Sequence, residues 1–233
     1  GCSKSSATWS RPGSTTPQAR VRVGSEGGME SMRILVTGAN SGLGKASAVQ
    51  LAAQGHHVVM LCRSRDRGER AVEEVKAHGS AELAICDLSD MDDIRRFGRL
   101  CRENAERFDV LLHNAAVLLV SRELTPQGHE ATIGINHLGP YLLTSELLEC
   151  VRRPGRIVIV ASDAHRGGRL DLSDLMAEDS FSGFRQYAVS KLANILFASE
   201  LSRRLAGSGI SVTSHASSRF MRLTRLPVMG SLA

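Results

Sequence analysis

Two separate groups of residues have the types and the spacing that suit redox chemistry on a carbonyl group. Tyr187 and Lys191 are four residues apart, so a helix would place the phenol and the ammonium on one face. Gly38, Gly42 and Gly44 lie far earlier, in a turn between a predicted strand and a predicted helix. Such a turn lets a dinucleotide pyrophosphate approach the backbone at a helix N-terminus. Together the two groups predict an enzyme that uses a nicotinamide cofactor.

The residue at the end of the second predicted strand bears on the choice between NAD and NADP. An acidic residue there would bind the ribose 2′-hydroxyl, but this chain has Arg63 and no acid beside it. A guanidinium can bind a 2′-phosphate instead. The sequence therefore favours NADP (NADPH) over NAD, and the alternative is an arginine that simply extends into solvent.

The elements that must position these residues alternate between strands and helices. Short apolar runs predict strands over 33–37, 57–62, 81–86, 109–112, 156–161 and 210–213. The segments between them predict helices over 42–54, 65–78, 90–107, 126–151 and 184–206. Because parallel strands need crossover connections, this alternation predicts a parallel sheet with helices on both faces. The fold class is α/β, a doubly wound, Rossmann-type sheet in a single domain.

The two ends of the chain differ from this alternating region. Residues 1–31 are rich in Ser, Gly and Arg and predict a disordered leader, the alternatives being a transit peptide or a natural start at Met29 or Met32. Residues 32–214 form the predicted dinucleotide-binding oxidoreductase domain. Residues 215–233 follow the last predicted strand as an atypical tail.

Charge and composition argue against several other classes of protein. The net charge of +5 comes from the two ends, since residues 32–214 carry equal numbers of basic and acidic side chains, which argues against nucleic-acid binding. No apolar run approaches the roughly 18 residues of a transmembrane helix. The five cysteines are scattered without a CxxC pair, which favours reduced thiols and a cytoplasmic location. Neither an HExxH nor a GxSxG motif occurs, so no metal site and no hydrolase are predicted.

The order of these motifs resembles the short-chain dehydrogenase/reductase family over residues 32–213. Residues 164–168 and 190–194 look most like its retinol-dehydrogenase-like branch. The resemblance implies that Asp87 and Leu88 contact adenine, and that Asn114 and its neighbours line the path to the adenosine ribose and nicotinamide. The predicted cofactor-binding residues come from the glycine turn, the second strand and this resemblance; they are Gly38, Ser41, Gly42, Leu43, Gly44, Arg63, Asp87, Leu88, Asn114, Ala115, Tyr187 and Lys191.

Four residues would then carry the chemistry. Tyr187 would exchange a proton with the carbonyl oxygen, and the Lys191 ammonium would favour its phenolate while holding the nicotinamide ribose. Ser162 would hydrogen-bond the substrate oxygen as charge develops there. By resemblance, Asn136 would hold a water that connects Lys191 to solvent. The alternatives are that Ser162 is a helix N-cap or turn residue and that Asn136 is a buried structural amide.

Two segments depart from the family's pattern. After the fourth strand, His113 stands where the family has Asn and Ala116 where it has Gly, a variation that we expect the fold to tolerate. After the sixth strand the family's Pro-Gly turn is missing, and residues 215–233 follow instead. This change indicates a frameshift or an alternative splice, so we expect the C-terminal part of the domain to be incomplete, without the family's seventh strand and substrate-covering lobe.

Two hypotheses of function follow. The first is an NADP-dependent oxidoreductase that interconverts a lipophilic aldehyde, ketone or retinoid-like compound and its alcohol by hydride transfer. By resemblance, such an enzyme would form a homodimer or tetramer. The second is a catalytically impaired variant of the same fold that binds the cofactor or a partner, which residues 215–233 favour.

Overall fold

The computed structural model contains, within the described residues 30–217, one parallel sheet of six strands. The strands are β1 (Arg33–Thr37), β2 (His57–Cys62), β3 (Ala81–Ile85), β4 (Phe108–His113), β5 (Val151–Ser162) and β6 (Ile210–Ser217). The helices are α1 (Gly42–Ala53), α2 (Arg65–Lys76), α3 (Met91–Glu103), α4 (Ala131–Ile133), α5 (Gly139–Leu147) and α6 (Gly183–Arg204). The spatial order β3-β2-β1-β4-β5-β6 confirms the predicted doubly wound α/β fold.

Helices cover both faces of the sheet, and this explains why most residues of the central strands are apolar. All five residues of β1 are buried. Leu35 packs into the core formed with α3, α5 and α6, whereas Ile34 and Val36 pack into the core formed with α1 and α2. Because successive side chains of a strand point to opposite faces, one strand anchors both layers. Packing on both faces therefore fixes the positions of the carboxyl ends of the strands relative to one another.

The helix predicted over 126–151 is wrong as a single element. The chain turns over residues 125–129, and the Glu130 carboxylate then accepts the backbone N–H groups of Thr132 and Ile133, so α4 begins only at Ala131. A π-helical turn, Gly134–Leu138, separates α4 from α5. Within this turn Asn136 hydrogen-bonds to Val117 and Ser190, contacts with distant segments that periodicity alone does not reveal.

The two strands on the β6 side of the sheet are longer than predicted. β5 begins at Val151, where it pairs with Phe108 of β4, although its next residues are polar and exposed. β6 continues through Ser217, which pairs with Ser162, although only residues up to 213 were predicted as strand. The first residues of the predicted tail therefore extend the sheet. The rest of that tail, from residue 218, and residues 1–29 of the predicted leader lie outside the described residues.

Two further features concern membranes and metals. Between residues 30 and 217, no helix is both long and apolar enough to cross a bilayer. In the same part of the chain, no three His, Cys, Asp or Glu side chains are grouped so that they could hold a metal ion.

Candidate active site

A cavity of about 640 Å³ opens along the carboxyl edge of the sheet, from the end of β2 across β1 and β4 to the end of β5. This edge includes the point between β1 and β4 where the strand order reverses, which is where open α/β sheets bind ligands. Its lining contains all twelve predicted cofactor-binding residues, together with Ser162. Asn136 is absent from that lining. We call Arg63, Ser64 and Arg67 the β2 end of the cavity, and Ser162, Tyr187 and Lys191 its β5 end.

The glycine turn is shaped by close backbone contacts. Gly38 and Gly42 have φ values of +67° and +54°, which favour glycine. A Cβ on Gly44 would lie 2.3 Å from the Gly38 carbonyl oxygen and 2.5 Å from Nδ2 of Asn114, so the turn folds back on itself and on β4. A Cβ on Gly42 would meet nothing within 4 Å. The turn thus combines a backbone packed tightly behind it with open space at Gly42, which fits a bound pyrophosphate.

Thr37 ties the glycine turn to the end of β4, a role that sequence reasoning missed. Its hydroxyl accepts the backbone N–H groups of Asn114 at 3.0 Å and Ala115 at 2.9 Å. The Asn114 side-chain amide in turn donates to the Thr37 carbonyl at 3.0 Å. The sequence did offer one indication of this role, because Thr37 directly precedes Gly38 of the glycine turn. These three bonds fix the floor of the cavity between β1 and β4.

The β2 end carries two arginines that line the cavity, Arg63 and Arg67. Within residues 30–217 neither guanidinium has a carboxylate partner, whereas the adjacent Arg65 pairs with Glu69. Arg67 was missed by the sequence analysis, although it lies in the first turn of the helix that begins two residues after Arg63. Ser64, between them, is the N-cap of α2, so the positive end of that helix faces the same region. The β2 end is therefore suited to an anion.

The β5 end brings Ser162, Tyr187 and Lys191 together. Tyr187 is hydrogen-bonded to the Ser162 side chain. The Lys191 ammonium donates to the Val160 carbonyl at 3.1 Å and lies 5.5 Å from the centroid of the Tyr187 ring. Ser162 also accepts the backbone N–H of Ala164 at 3.3 Å and caps the short 3₁₀ turn Asp163–Gly167. Ser162 therefore has the capping role proposed as an alternative, while it also touches the phenol.

The electrostatics of this group differ from the expectation. Burial raises the pKa of Tyr187 above its usual value, and the hydrogen bond from Ser162 opposes that rise. Burial also lowers the pKa of Lys191 to about 8. The predicted lowering of the phenol pKa by the ammonium is therefore wrong for this structure. The reason is geometric, because the ammonium lies over the ring and is directed to the Val160 carbonyl.

Asn136 lies in the π-helical turn and is fully buried behind the β5 end. Its side chain accepts from the Val117 N–H and donates to the Val117 carbonyl, both at 2.8 Å. It also donates to Ser190, whose hydroxyl donates to the Tyr187 carbonyl. Asn194 donates to the Asn136 carbonyl at 2.9 Å. The geometry thus places Asn136 as a support of α6 and not in the cavity wall.

His113, which stands where the resemblance would place Asn, is buried against α5. The Thr144 hydroxyl donates to the Pro140 carbonyl, so it must accept its other hydrogen bond, 2.8 Å long, from Nε2–H of His113. Burial lowers the pKa of His113 to about 4. The imidazole is therefore neutral near pH 7, and it packs between β4 and α5 with its hydrogen bond to Thr144. The substitution is thus accommodated by packing.

The fold and the site together define a dinucleotide-binding protein of the Rossmann type. A profile described as short chain dehydrogenase matches residues 32–220. The chain belongs to the short-chain dehydrogenase/reductase family. The sequence is 41% identical over 186 residues to retinol dehydrogenase 11 of Homo sapiens, covering 78% of this chain and 58% of that protein. It is 40% identical over 197 residues to dehydrogenase/reductase SDR family member 13 of Homo sapiens, covering 79% of this chain and 51% of that protein.

Solved structures show the same relationship. An uncharacterized protein from Mycobacterium paratuberculosis is 39% identical, with a TM-score of 0.72, over 78% of this chain and 66% of that one. A short chain dehydrogenase from Burkholderia cenocepacia J2315, solved in complex with NADP, is 26% identical with a TM-score of 0.63, over 78% of this chain and 72% of that one. The predicted similarity to retinol dehydrogenases is confirmed, and the chain spans less than two thirds of the length of the two human relatives above.

Proposed function

We propose that this protein is an NADP-dependent oxidoreductase that interconverts a lipophilic carbonyl compound and its alcohol by hydride transfer. The observation that carries the proposal is the Ser162–Tyr187 hydrogen bond beside the buried Lys191, in the wall of the cavity whose other end holds Arg63 and Arg67. The names of the retinol dehydrogenase relatives support an aldehyde, ketone or retinoid-like substrate.

The residues of the β5 end divide the work of the proposed reaction. A bound NADPH would supply the hydride. Tyr187 donates a proton to the substrate oxygen, and Ser162 hydrogen-bonds that oxygen and holds the phenol in place. Lys191 holds the nicotinamide ribose, and with a pKa of about 8 it remains mostly protonated at neutral pH.

Asn136 enters the proposal through its main-chain carbonyl, which would hold the water that connects Lys191 to solvent and completes the proton relay. Asn194 occupies one hydrogen-bonding position of that carbonyl, and a carbonyl oxygen has two lone pairs. The bond from Asn136 to Ser190 supports this role, because it connects the relay residue to the segment of α6 that carries Tyr187.

The preference for NADP rests on the two arginines of the β2 end. A 2′-phosphate placed there would meet two guanidinium groups, neither of which pairs with a carboxylate within residues 30–217. Calorimetry should show tighter binding of NADPH than of NADH, and Arg63→Asp should reverse this order. Arg65→Asp is the matched control, since Arg65 pairs with Glu69 and does not line the cavity. Equal affinities for both cofactors, before and after Arg63→Asp, would contradict the proposal.

The activity is tested by following NADPH consumption with retinal and with simple aldehydes of increasing chain length. We expect reduction that improves with the apolar length of the substrate. Cofactor binding without turnover on any of these compounds would contradict the enzymatic part and leave the second hypothesis, a cofactor-binding variant.

The proposal includes a homodimer or tetramer and a cytoplasmic location. Tyr141 on α5 and Leu196 on α6 are about half exposed, which suits helix packing between subunits. The four cysteines of the described region are free thiols, as in proteins of reducing compartments. Light scattering and cell fractionation test these two points, and a monomer or a protein found only in a secreted fraction would contradict them.

A further inference from the structure

The short turn that follows β5 makes a hydrogen bond to the main chain of Ser162. This bond has no role in the reaction proposed above. The imidazole Nδ1 of His165 lies 2.6 Å from the main-chain oxygen of Ser162. A carbonyl oxygen only accepts, so Nδ1 carries the proton and donates. His165 is half-buried, and its ring closes the turn Asp163–Gly167 back onto the residue that begins it.

The same turn is packed against the helix that carries Tyr187. Ala164 forms a small apolar cluster with Tyr187 and Ala188. A Cβ on Gly168 would lie 2.6 Å from the Ala188 carbonyl oxygen, so the chain leaving the turn passes directly over α6. The turn is therefore packed between Ser162 and the part of α6 that carries Tyr187.

Ser162 is restrained at both of its oxygens. Its hydroxyl accepts from the Ala164 N–H and is bonded to the phenol of Tyr187, while its carbonyl accepts from His165. Removing the His165 bond would let the serine rotate with the end of β5. The hydroxyl would then meet the phenol less often, since hydrogen bonds weaken steeply with angle.

We propose that His165 is a positioning residue, which holds the Ser162 hydroxyl against the Tyr187 phenol by donating from Nδ1 to the Ser162 carbonyl. The inference rests on the proposed function, because it concerns the same catalytic group. The proposal gives a physical role to the histidine of residues 164–168. In the sequence, this segment showed only a resemblance to the retinol-dehydrogenase-like branch.

The test uses the phenol of Tyr187 as the reporter and needs no turnover. The chain has two tyrosines, so Tyr141→Phe followed by growth on fluorotyrosine leaves one fluorinated ring, at position 187. Fluorine makes the phenol more acidic, and its NMR shift then reports the pKa of the label. Lys191 is the charged side chain packed on that ring, and it is unchanged in every variant below.

Two substitutions of His165 have nearly the same shape but differ in hydrogen bonding. Asn places its Nδ2 donor where the imidazole Nδ1 lies, whereas Leu has no donor. His165→Leu should raise the pKa of the labelled phenol by about half a unit to one unit, because the bond from Ser162 is weakened. His165→Asn should leave that pKa near its original value. Ser162→Ala sets the full size of the effect, and Arg166→Ala, which changes an exposed residue of the same turn, should change nothing.

In carbonyl reduction, His165→Leu should lower kcat roughly tenfold with little change in cofactor affinity. If Ser162→Ala raises the pKa of the label and His165→Leu does not, even with a lower melting temperature, the positioning role is wrong and the proposed function stands. If Ser162→Ala leaves that pKa unchanged, the Ser162–Tyr187 contact itself is contradicted, and with it both proposals.

Discussion

The glycine turn and the β5 end of the cavity are built by opposite means. The turn is made of backbone, and its shape depends on the absence of side chains, as at Gly44. The β5 end is made of side chains, and Ser162, Tyr187 and Lys191 are buried polar groups held by hydrogen bonds. The glycine turn should therefore fail by steric conflict when a side chain is added. The β5 end should fail by loss of a single functional group while the fold persists.

Among substitutions that distinguish the β5 end from the glycine turn, Tyr187→Phe should have the largest effect. The substitution removes the proposed proton donor and keeps the ring, so carbonyl reduction should fall by about 10²–10⁴-fold. The affinity for NADPH, measured by calorimetry, should change little. Tyr141→Phe is the control, because Tyr141 is half exposed and outside the cavity. Near-normal turnover of the Tyr187 variant would assign the proton to another residue.

A steric failure is expected at Gly44→Ala. The added methyl would overlap the Gly38 carbonyl oxygen and the Asn114 amide, so the turn must separate from β4. We expect a loss of about 1–3 kcal/mol in the free energy of unfolding, together with weakened NADPH binding. Chemical denaturation of Gly44→Ala and Gly167→Ala provides the comparison, since a Cβ on Gly167 meets nothing within 4 Å. Equal stability of the two variants would show that the turn is not closely packed.

The β5 end should be less stable than a purely apolar version of itself. Burial depresses the pKa of Lys191 from 10.5 to about 8, so the folded protein holds a charge that water would solvate better. Lys191→Met should therefore raise the free energy of unfolding at pH 7 by about 1–2 kcal/mol, despite losing the bond to Val160, while cofactor binding and turnover fall. The gain should shrink as the pH rises from 8 to 10.5, because the folded lysine releases its proton there. A destabilised variant at pH 7 would contradict this account.

The smallest effect concerns His113, behind the floor of the cavity. Its pKa is lowered to about 4, whereas the unfolded chain takes up the proton near pH 6.5. The stability that depends on neutral His113 is therefore present above pH 6.5 and lost as the pH falls towards 4. Between pH 7 and pH 5.5 the native protein should lose about 1 kcal/mol more than His113→Gln, which cannot take up a proton in this range. Parallel urea curves at both pH values would show that His113 is not a buried neutral imidazole.

The fold, the glycine turn and the Tyr187–Lys191 pair could be predicted from the sequence because their signals are local, whereas Asp87, Leu88 and Asn114 came from the family resemblance. Strand β1, the glycine turn and Arg63 are defined by residues within a few positions of each other. The Tyr187–Lys191 spacing also needs only one helix. Such short-range patterns survive without knowledge of the rest of the molecule.

The features that were missed depend on contacts between distant segments. The π-helical turn holds Asn136 between Val117 and Ser190, and Asn136 and Ser190 are 54 positions apart. The residues after Val151 at the beginning of β5 are mostly polar, and the pairing of this segment with Phe108 of β4 and Ile210 of β6 is not visible in its own residues. The pKa of the Tyr187 phenol depends on burial and on the direction of the Lys191 ammonium. Neither can be read from the spacing of the two residues.

A double-mutant cycle between Arg63 and Tyr187 tests most directly whether the two ends of the cavity act separately. Arg63→Ala, Tyr187→Phe and the double variant are compared for NADPH affinity and for the rate of carbonyl reduction. We expect Arg63→Ala to weaken binding and Tyr187→Phe to lower the rate, and we expect the effects on each quantity to add within about 0.5 kcal/mol. A coupling well above that value, or a loss of NADPH binding in Tyr187→Phe alone, would contradict the separation of cofactor selection from proton transfer.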